Sequence, residues 1–474
     1  MTRKMRRLKR VHFVGIGGSG MLGIAEVMIG LGYDVQGSDI SNSNQLRRIE
    51  AQGAKIFIGH SPQNIYQVDA VVVSSAIQKD NCEVREAYKL MLPVVARAEM
   101  LAELMRFYYS VAVAGTHGKT TTTSLIASAL AEGDLDPTYI IGGCLKSSNS
   151  NAKLGLGEYL VAEADESDAS FAHLKPMISV VTNIDLDHMS TYDNDVCKLN
   201  KGFIDFLHNL PFYGLAILCI DDPGIQKIIP AIARSVVTYG ISEGADIHAR
   251  NIKFSHQKTL FEVIRKNKKG KLEIQINLPG IHNVQNALAA IAVASELDVP
   301  DKFIVLSLKN FAGIDRRFQI TNDLPFKSGA VTLIDDYGHH PTEILATINA
   351  VHSGWEGKRI TLVFQPHRYT RTNELFDEFI DVLSQVEQVI ITDIYSAGEE
   401  AIDGINGMTI INALENKMNS TPIFAESLNA IPAILNEILH DGEILLLMGA
   451  GDIGDFVSDL PKLLTKDMKN TGDV

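Results

Sequence analysis

Residues 110–130 read SVAVAGTHGKTTTTSLIASAL. A short apolar run enters the turn Gly115-Thr116-His117-Gly118-Lys119-Thr120, and a helix-forming stretch that includes Thr121 follows at once. A strand delivered into a glycine turn and then a helix points backbone N–H groups and a positive helix end at one spot, which suits an anion. Lys119 adds a mobile positive charge for the outer phosphates of a nucleotide, and Thr120 a hydroxyl suited to Mg²⁺. The usual P-loop also has glycine five residues before its second glycine. Val113 stands there, so this is a shortened variant. A plain strand–helix turn with a surface lysine is the rival reading, and the number of matching positions weighs against it.

The same rhythm occurs twice more. Gly15-Ile16-Gly17-Gly18-Ser19-Gly20 lies between VHFV and a helical stretch, and Asp39 closes the next strand about 20 residues on. This predicts a pyrophosphate at a helix N-terminus and a carboxylate near a hydroxyl-bearing ring, which fits a nucleotide sugar as well as NAD. Gly449-Ala450-Gly451-Asp452-Ile453-Gly454 repeats the spacing after EILLLM. About 20 residues remain beyond it, with no further strand for a ribose-binding acid, so a structural turn is expected there.

Strand and helix patterns alternate through most of the 474 residues, and that length exceeds a single core. The fold class expected is α/β in three domains: a Rossmann-like nucleotide-sugar domain (1–108), a central P-loop-type ATPase domain (109–315) and a C-terminal Rossmann-like domain (316–474). Alternating strands between about 240 and 278 predict an antiparallel excursion in the middle domain.

The net charge of −14 argues against a general nucleic-acid coat. The basic start (Arg3, Lys4, Arg6, Arg7, Lys9, Arg10) precedes a stretch broken by glycines and Glu26, not a signal peptide. No apolar run is long enough to span a membrane. Four scattered cysteines form no CxxC pair, so a reduced, cytoplasmic setting is expected.

Metal-assisted phosphoryl transfer needs oxygen ligands near the terminal phosphate. Glu163, Asp165, Glu166 and Asp168 follow the strand YLVA, and Asp185, Asp187 and His188 follow ISVVTN. Both segments end at the sheet edge that carries the phosphate loop, which points to Mg²⁺. In the last third, Asp335 through Pro341 (DDYGHHP) and Gln365 through Arg371 (QPHRYTR) also end strands, and Arg316-Arg317 sits at the domain junction. Paired arginines suit a carboxylate or phosphate through forked hydrogen bonds.

Together, GTHGKTTTTSL, EADESDASF, TNIDLDHM, HNVQNALAA, DRRFQ, DDYGHHPTE and FQPHRYTR resemble the Mur ligases of peptidoglycan synthesis. The resemblance runs from about residue 11 to 456. GIGGSGM and RAEMLAELMRF are most similar to the alanine-adding branch. It implies ATP-dependent joining of L-alanine to the carboxylate of UDP-N-acetylmuramate through an acyl phosphate, with Mg²⁺ (or Mn²⁺). Gly115 to Thr121 would bind ATP with His282, Asn283, Asn286, Arg316 and Asp335. Thr120, Glu163 and His188 would hold metal. Gly15, Gly17, Gly18, Ser19, Gly20, Ser38, Asp39, His60 and Ser74 would cradle the UDP-sugar. Tyr337, His339, Arg368 and Arg371 would receive L-alanine. Lys119, His188 and His339 would be catalytic, either histidine being a candidate proton acceptor. Sister ligases place a carbamylated lysine behind the second metal. The comparable stretch here is Lys198-Leu199-Asn200-Lys201, with Asn200 where close relatives place lysine, so a carbamylated lysine is not predicted from it and the question stays open.

The expected partners are these small molecules, with no nucleic acid and no membrane, as monomer or dimer. Three alternatives stay open: a recycling ligase that attaches a tripeptide to the same UDP-sugar, an NAD-dependent oxidoreductase, and a non-catalytic ATP switch.

Overall fold

In the computed structural model the strand Arg10–Val14 is buried at every position after Arg10. A parallel strand covered on both faces has no solvent side, so it carries a continuous apolar run. The structure describes residues 4–148, 150–327 and 329–470, without the side chains of Ser19 and residues 465–470. The Ser19 side chain, an expected ligand contact, and Arg3 of the basic run lie outside the described residues.

The chain divides into two units. One takes residues 1–252, 260–277 and 283–312; the other takes 253–259, 278–282 and 313–474. The first unit starts with a sheet of five parallel strands, in the order Lys55–Ile58, Asp34–Asp39, Arg10–Val14, Ala70–Val73, Val94–Ala96. The chain leaves Arg10–Val14 to one side and later returns on the other. Its first glycine turn therefore sits at the crevice where strand order reverses, the usual ligand position in open parallel sheets.

In the ten-stranded sheet that follows, Tyr109–Ala114 lies between Tyr159–Glu163 and Ile178–Val181, parallel to both. Val113 is opposite Glu163, and Ala114 opposite Val181. Both acidic segments thus leave the sheet beside the phosphate loop. The strands Ile247–Ser255, Lys258–Arg265 and Lys271–Ile276 stand consecutively at one edge. Their connections of two and five residues are too short for a crossover.

The second unit holds a six-stranded sheet. Gln319–Phe326 pairs antiparallel with Gly329–Asp336, and the other pairs are parallel. In Ile444–Met448, Ile444, Leu446 and Met448 join one apolar cluster with Ile344 and Ile348, while Leu445 and Leu447 join another with Ile453 and Leu460. The two-residue period of a strand thus feeds a core on each face. Among the described residues no helix is long and apolar enough to cross a membrane.

One polar network lies inside the first sheet's layer. Glu83 is fully buried and accepts from Ser38 Oγ (2.5 Å), Asn64 Nδ2 (2.6 Å) and the Ser61 amide (3.1 Å), with His12 Nε2 at 3.2 Å. Burial opposes the carboxylate charge, but bonds from His12, Ser38 and Asn64 outweigh it and hold the pKa down at about 2. The charged form therefore stabilises the fold above about pH 4.5, and that contribution disappears as pH falls toward about 2. Glu83→Gln should cost ~2 kcal/mol at pH 7. Its melting temperature should approach the wild-type value as pH falls from 4.5 to 2. Calorimetric melts across that range test this, and equal melting temperatures at pH 7 would contradict it.

Candidate functional site

The phosphate loop is fixed from the side by the segment after Ile178–Val181. Asn183 Oδ1 accepts from the His117 amide at 2.8 Å, and its Nδ2 donates to the His117 carbonyl at 3.0 Å. The Thr116 hydroxyl accepts from the Asp185 amide (2.9 Å), and the His117 ring lies 3.1 Å from the Asp185 carboxylate. His117 thus braces the loop through its side chain. Gly118 has φ +80°, and a Cβ there would stand 2.7 Å from Asn286 Oδ1. Glycine is required on both counts.

Lys119 opens the helix Lys119–Glu132, and its Nζ donates to the Gly115 carbonyl (2.7 Å) and the Thr116 carbonyl (3.1 Å). It also meets both oxygens of the buried Glu166, at 2.9 and 2.8 Å. Burial disfavours the ammonium, but Glu166, with Asp165 and Glu163 behind it, outweighs that and raises its pKa. Burial raises the Glu166 carboxyl, against the pull of Lys119. The sequence marks Glu166 as one acid of a cluster and carries no signal that it is the lysine's partner.

A cavity of about 280 Å³ is bounded by Gly18, Gly20 and Ser74 from the first sheet's side and by Lys119, Glu163 and Asp165 from the phosphate-loop side. The two glycine turns and the first acid of EADESD therefore meet. Glu163 Oε1 accepts from the Gly142 amide at 2.7 Å. Carboxylate and threonine oxygens suit a hard divalent cation. Of the three expected metal ligands, Glu163 lines this cavity. Thr120 is buried in the first helical turn, and His188, at φ +53°, lies 3.4 Å from Asp187. Lys198 pairs with Asp193 at 2.6 Å on the surface.

Other expected nucleotide-sugar residues have different partners. Ser38 is buried and donates inward to Glu83, with His60 Nδ1 at 3.0 Å from its oxygen. Asp39 accepts from the Gly17 amide at 2.8 Å, so it closes the glycine turn itself. Gly15, at φ +77°, donates its amide to the Ser38 carbonyl.

On the helix Ile281–Glu296, Asn286 accepts from Thr122 Oγ1 at 3.1 Å and donates to Asn283 Oδ1 at 3.3 Å. His282, on the same helix, has its pKa lowered to about 4 by burial.

In the second unit, Arg316 donates to the Gly449 carbonyl (2.6 Å), with Asp335 Oδ1 3.4 Å from its Nε, so the last glycine turn holds an arginine. Arg316 and Arg317 lie 5.3 and 5.2 Å from the Tyr337 ring centre. His339 stands edge-on to Tyr337 and 5.6 Å from His367, and the positive charge of Arg371 bears on both histidines. Arg371 is buried, and Arg368 adopts φ +72° with its amide on the Tyr395 carbonyl. Burial pushes His339 down to about 3 and His367 to about 4. His339 Nδ1 lies 3.1 Å from the Tyr337 carbonyl, which can only accept. In the neutral ring the proton therefore sits on Nδ1 and the lone pair on Nε2. His367 stacks on Tyr395 with rings 5.6 Å apart, and beyond its place in QPHRYTR it carries no sequence signal of its own.

These features define an α/β protein with a phosphate loop and a second glycine turn at a shared cavity. Three family models match the chain: Mur ligase family, catalytic domain, over residues 10–109; Mur ligase middle domain over 113–294; and Mur ligase, glutamate ligase domain, over 316–451. Among solved structures, the UDP-N-acetylmuramate–alanine ligase of Thermotoga maritima is 28% identical with a TM-score of 0.80, over 98% of this chain and 100% of that one. A murein peptide ligase from Psychrobacter arcticus is 22% identical with a TM-score of 0.70, over 96% and 98% of the two chains, a likeness of fold. So is that to the MurF ligase of Thermotoga maritima in complex with ADP, at 16% and 0.62 over 92% and 96%. The chain belongs to the Mur ligase family and has its three-domain architecture of mostly parallel α/β sheets.

Gly118→Ala should fold with a strain of roughly 1–3 kcal/mol at the loop and lose nucleotide affinity. Titration with a fluorescent ATP analogue checks this; unchanged affinity would remove the loop from the binding site. A second expectation concerns protonation. With pKa values of about 3 and 4, His339 and His367 are neutral at every pH above about 5. Their imidazole NMR signals should therefore stay constant from pH 5.5 to 8, and a midpoint near 6.5 for either would contradict its burial.

Proposed function

We propose that the chain uses ATP to join L-alanine to the carboxylate of UDP-N-acetylmuramate, releasing ADP and phosphate. The observation that carries this reading is the single cavity bounded by Gly18 and Gly20 on one side and Lys119 and Glu163 on the other. A diphosphate on the first turn and a triphosphate on the second bring the sugar-borne acid next to the phosphate it attacks. We divide the chain into domains at residues 108 and 315, one for each substrate. The expected assignments made from sequence stand as the proposed contacts. For Ser38 and Asp39 the role becomes indirect, through Glu83 and the Gly17 amide.

The carboxylate attacks the terminal phosphorus of ATP, giving an acyl phosphate and ADP. The amine of L-alanine then attacks the activated carbonyl, and phosphate leaves. Lys119 neutralises charge on the transferred group and holds it in line; phosphoryl transfer asks little more of a protein. Thr120, Glu163 and His188 are the proposed holders of Mg²⁺ or Mn²⁺, which when bound neutralises phosphate charge. Arg368 and Arg371 take the alanine carboxylate, and Tyr337 and His339 orient the amine. Neutral His339 presents an acceptor at Nε2 that can hydrogen-bond the amine and orient it, while its pKa of about 3 makes it a poor resting place for the proton, which leaves with the phosphate.

Mass spectrometry of the product made from UDP-N-acetylmuramate, Mg-ATP, mixed amino acids and the tripeptide L-alanyl-γ-D-glutamyl-meso-diaminopimelate tests the assignment. A mass gain of one alanine is expected. A tripeptide adduct would make the chain a recycling ligase, and phosphate release that needs no amine would make it a switch. Lys119→Ala should lower turnover by about 10²–10³-fold while the chain stays folded, with a melting temperature lowered by the uncompensated Glu166. Near-normal phosphate release from that variant would remove the loop from catalysis.

A further inference from the structure

Arg97 lines the 280 Å³ cavity beside Lys119. It is the first residue of the helix Arg97–Met105, where the partial charge of the helix end is positive and a basic side chain is disfavoured. Its guanidinium also lies on a second helix start: a Cβ on Gly20 would be 3.0 Å from Arg97 Nη1 and 3.2 Å from its Cδ. Lys119 opens a third helix on the same cavity. Two cations and three helix starts thus face one space. Such a concentration of positive potential disobeys the local rule for helix ends, and places where a sequence does so are commonly functional.

Two acids balance it. Asp165 accepts from Arg97 Nη2 at 3.1 Å, and its neighbour Glu166 pairs with Lys119. Consecutive carboxylates therefore each hold one cation of the cavity, from two distant parts of the chain. Arg97 keeps 15% of its side chain exposed, and Ser170 Oγ at 3.5 Å is its other polar neighbour. A planar guanidinium with one carboxylate oxygen bound retains donors for another anion.

We infer that Arg97 is a substrate-binding residue that grips an anionic group of the nucleotide sugar, with Asp165 as the positioning residue that aims it from beside Glu166. This deepens the proposed function and rests on its reading of the first glycine turn. The group is an oxyanion, supplied by the diphosphate bridge or by the sugar-borne carboxylate.

Calorimetric titration of the full chain with UDP, UDP-N-acetylglucosamine and UDP-N-acetylmuramate separates the two sources, for the wild type, Arg97→Met and Arg97→Lys. Arg97→Met keeps the apolar stem, and its melting temperature reports that it folds. Loss of a charged hydrogen bond should raise Kd by roughly tenfold or more. All three ligands weaken if Arg97 holds the diphosphate, and UDP-N-acetylmuramate alone weakens if it holds the carboxylate. Arg97→Lys should recover part of the loss, and the KM for ATP should stay within about twofold of wild type. Unchanged binding of all three ligands by Arg97→Met, with the wild type binding them, overturns the Arg97 assignment alone. A wild type that binds none overturns it together with the nucleotide-sugar reading.

Discussion

The contact between Lys119 and Glu166 sets the terms for everything around it. A largely buried ammonium is tolerated only where a counter-charge and further acceptors replace most of its water, and here the carboxylate and two loop carbonyls do so. Ion pairs in low-dielectric surroundings rarely add net stability, because desolvation offsets the attraction. What such a pair supplies is place: the charge is held in position, so in the proposed reaction little reorganisation would remain. The loop carbonyls can reach Nζ only because Gly115 and Gly118 turn the backbone at φ values of +129° and +80°.

From that contact the acids sort themselves. Glu163 is still in strand register, opposite Val113, so its side chain emerges at the loop. Asp165 and Glu166 come after the strand has ended, and the chain there is tied by Ala169 and Tyr192 to the Glu166 carbonyl. Three carboxylates within four residues thereby reach three partners: a backbone amide, an arginine and a lysine. A solvated acidic run would have no such division of labour.

Strand–turn–helix units and glycine turns were legible because their signals are local: residue spacing, β-branched runs and the positions of glycine. Placement of GTHGKT between two acidic strand ends followed from the rule that parallel strands share their carboxyl edge, and the register of Val113 with Glu163 agrees with it. Side-chain direction was not legible. Ser38 and Asp39 are adjacent at a strand end, so they point to opposite faces, and that alternation sends Ser38 into the interior. Glu83 looks in sequence like any acid in the first turn of an exposed helix. Its burial depends on Ser38, His12 and Asn64 arriving from other elements, information that no local window contains.

The second unit obeys the same logic with opposite charge. Its strand ends carry Arg316, Arg317, Arg368 and Arg371, and the cations are spaced by rings: Tyr337 lies under two guanidinium groups, and His367 stacks on Tyr395. Neutral imidazoles suit such a place, since a protonated His339 or His367 would add charge beside Arg371. Burial and neighbouring guanidinium groups act in the same direction, and Glu343 is too weak a counterweight to reverse them at His339. The cluster therefore presents fixed positive charge from arginine and neutral hydrogen-bonding groups from histidine. That combination suits a carboxylate and an amine, the two ends of the amino acid in the proposed reaction.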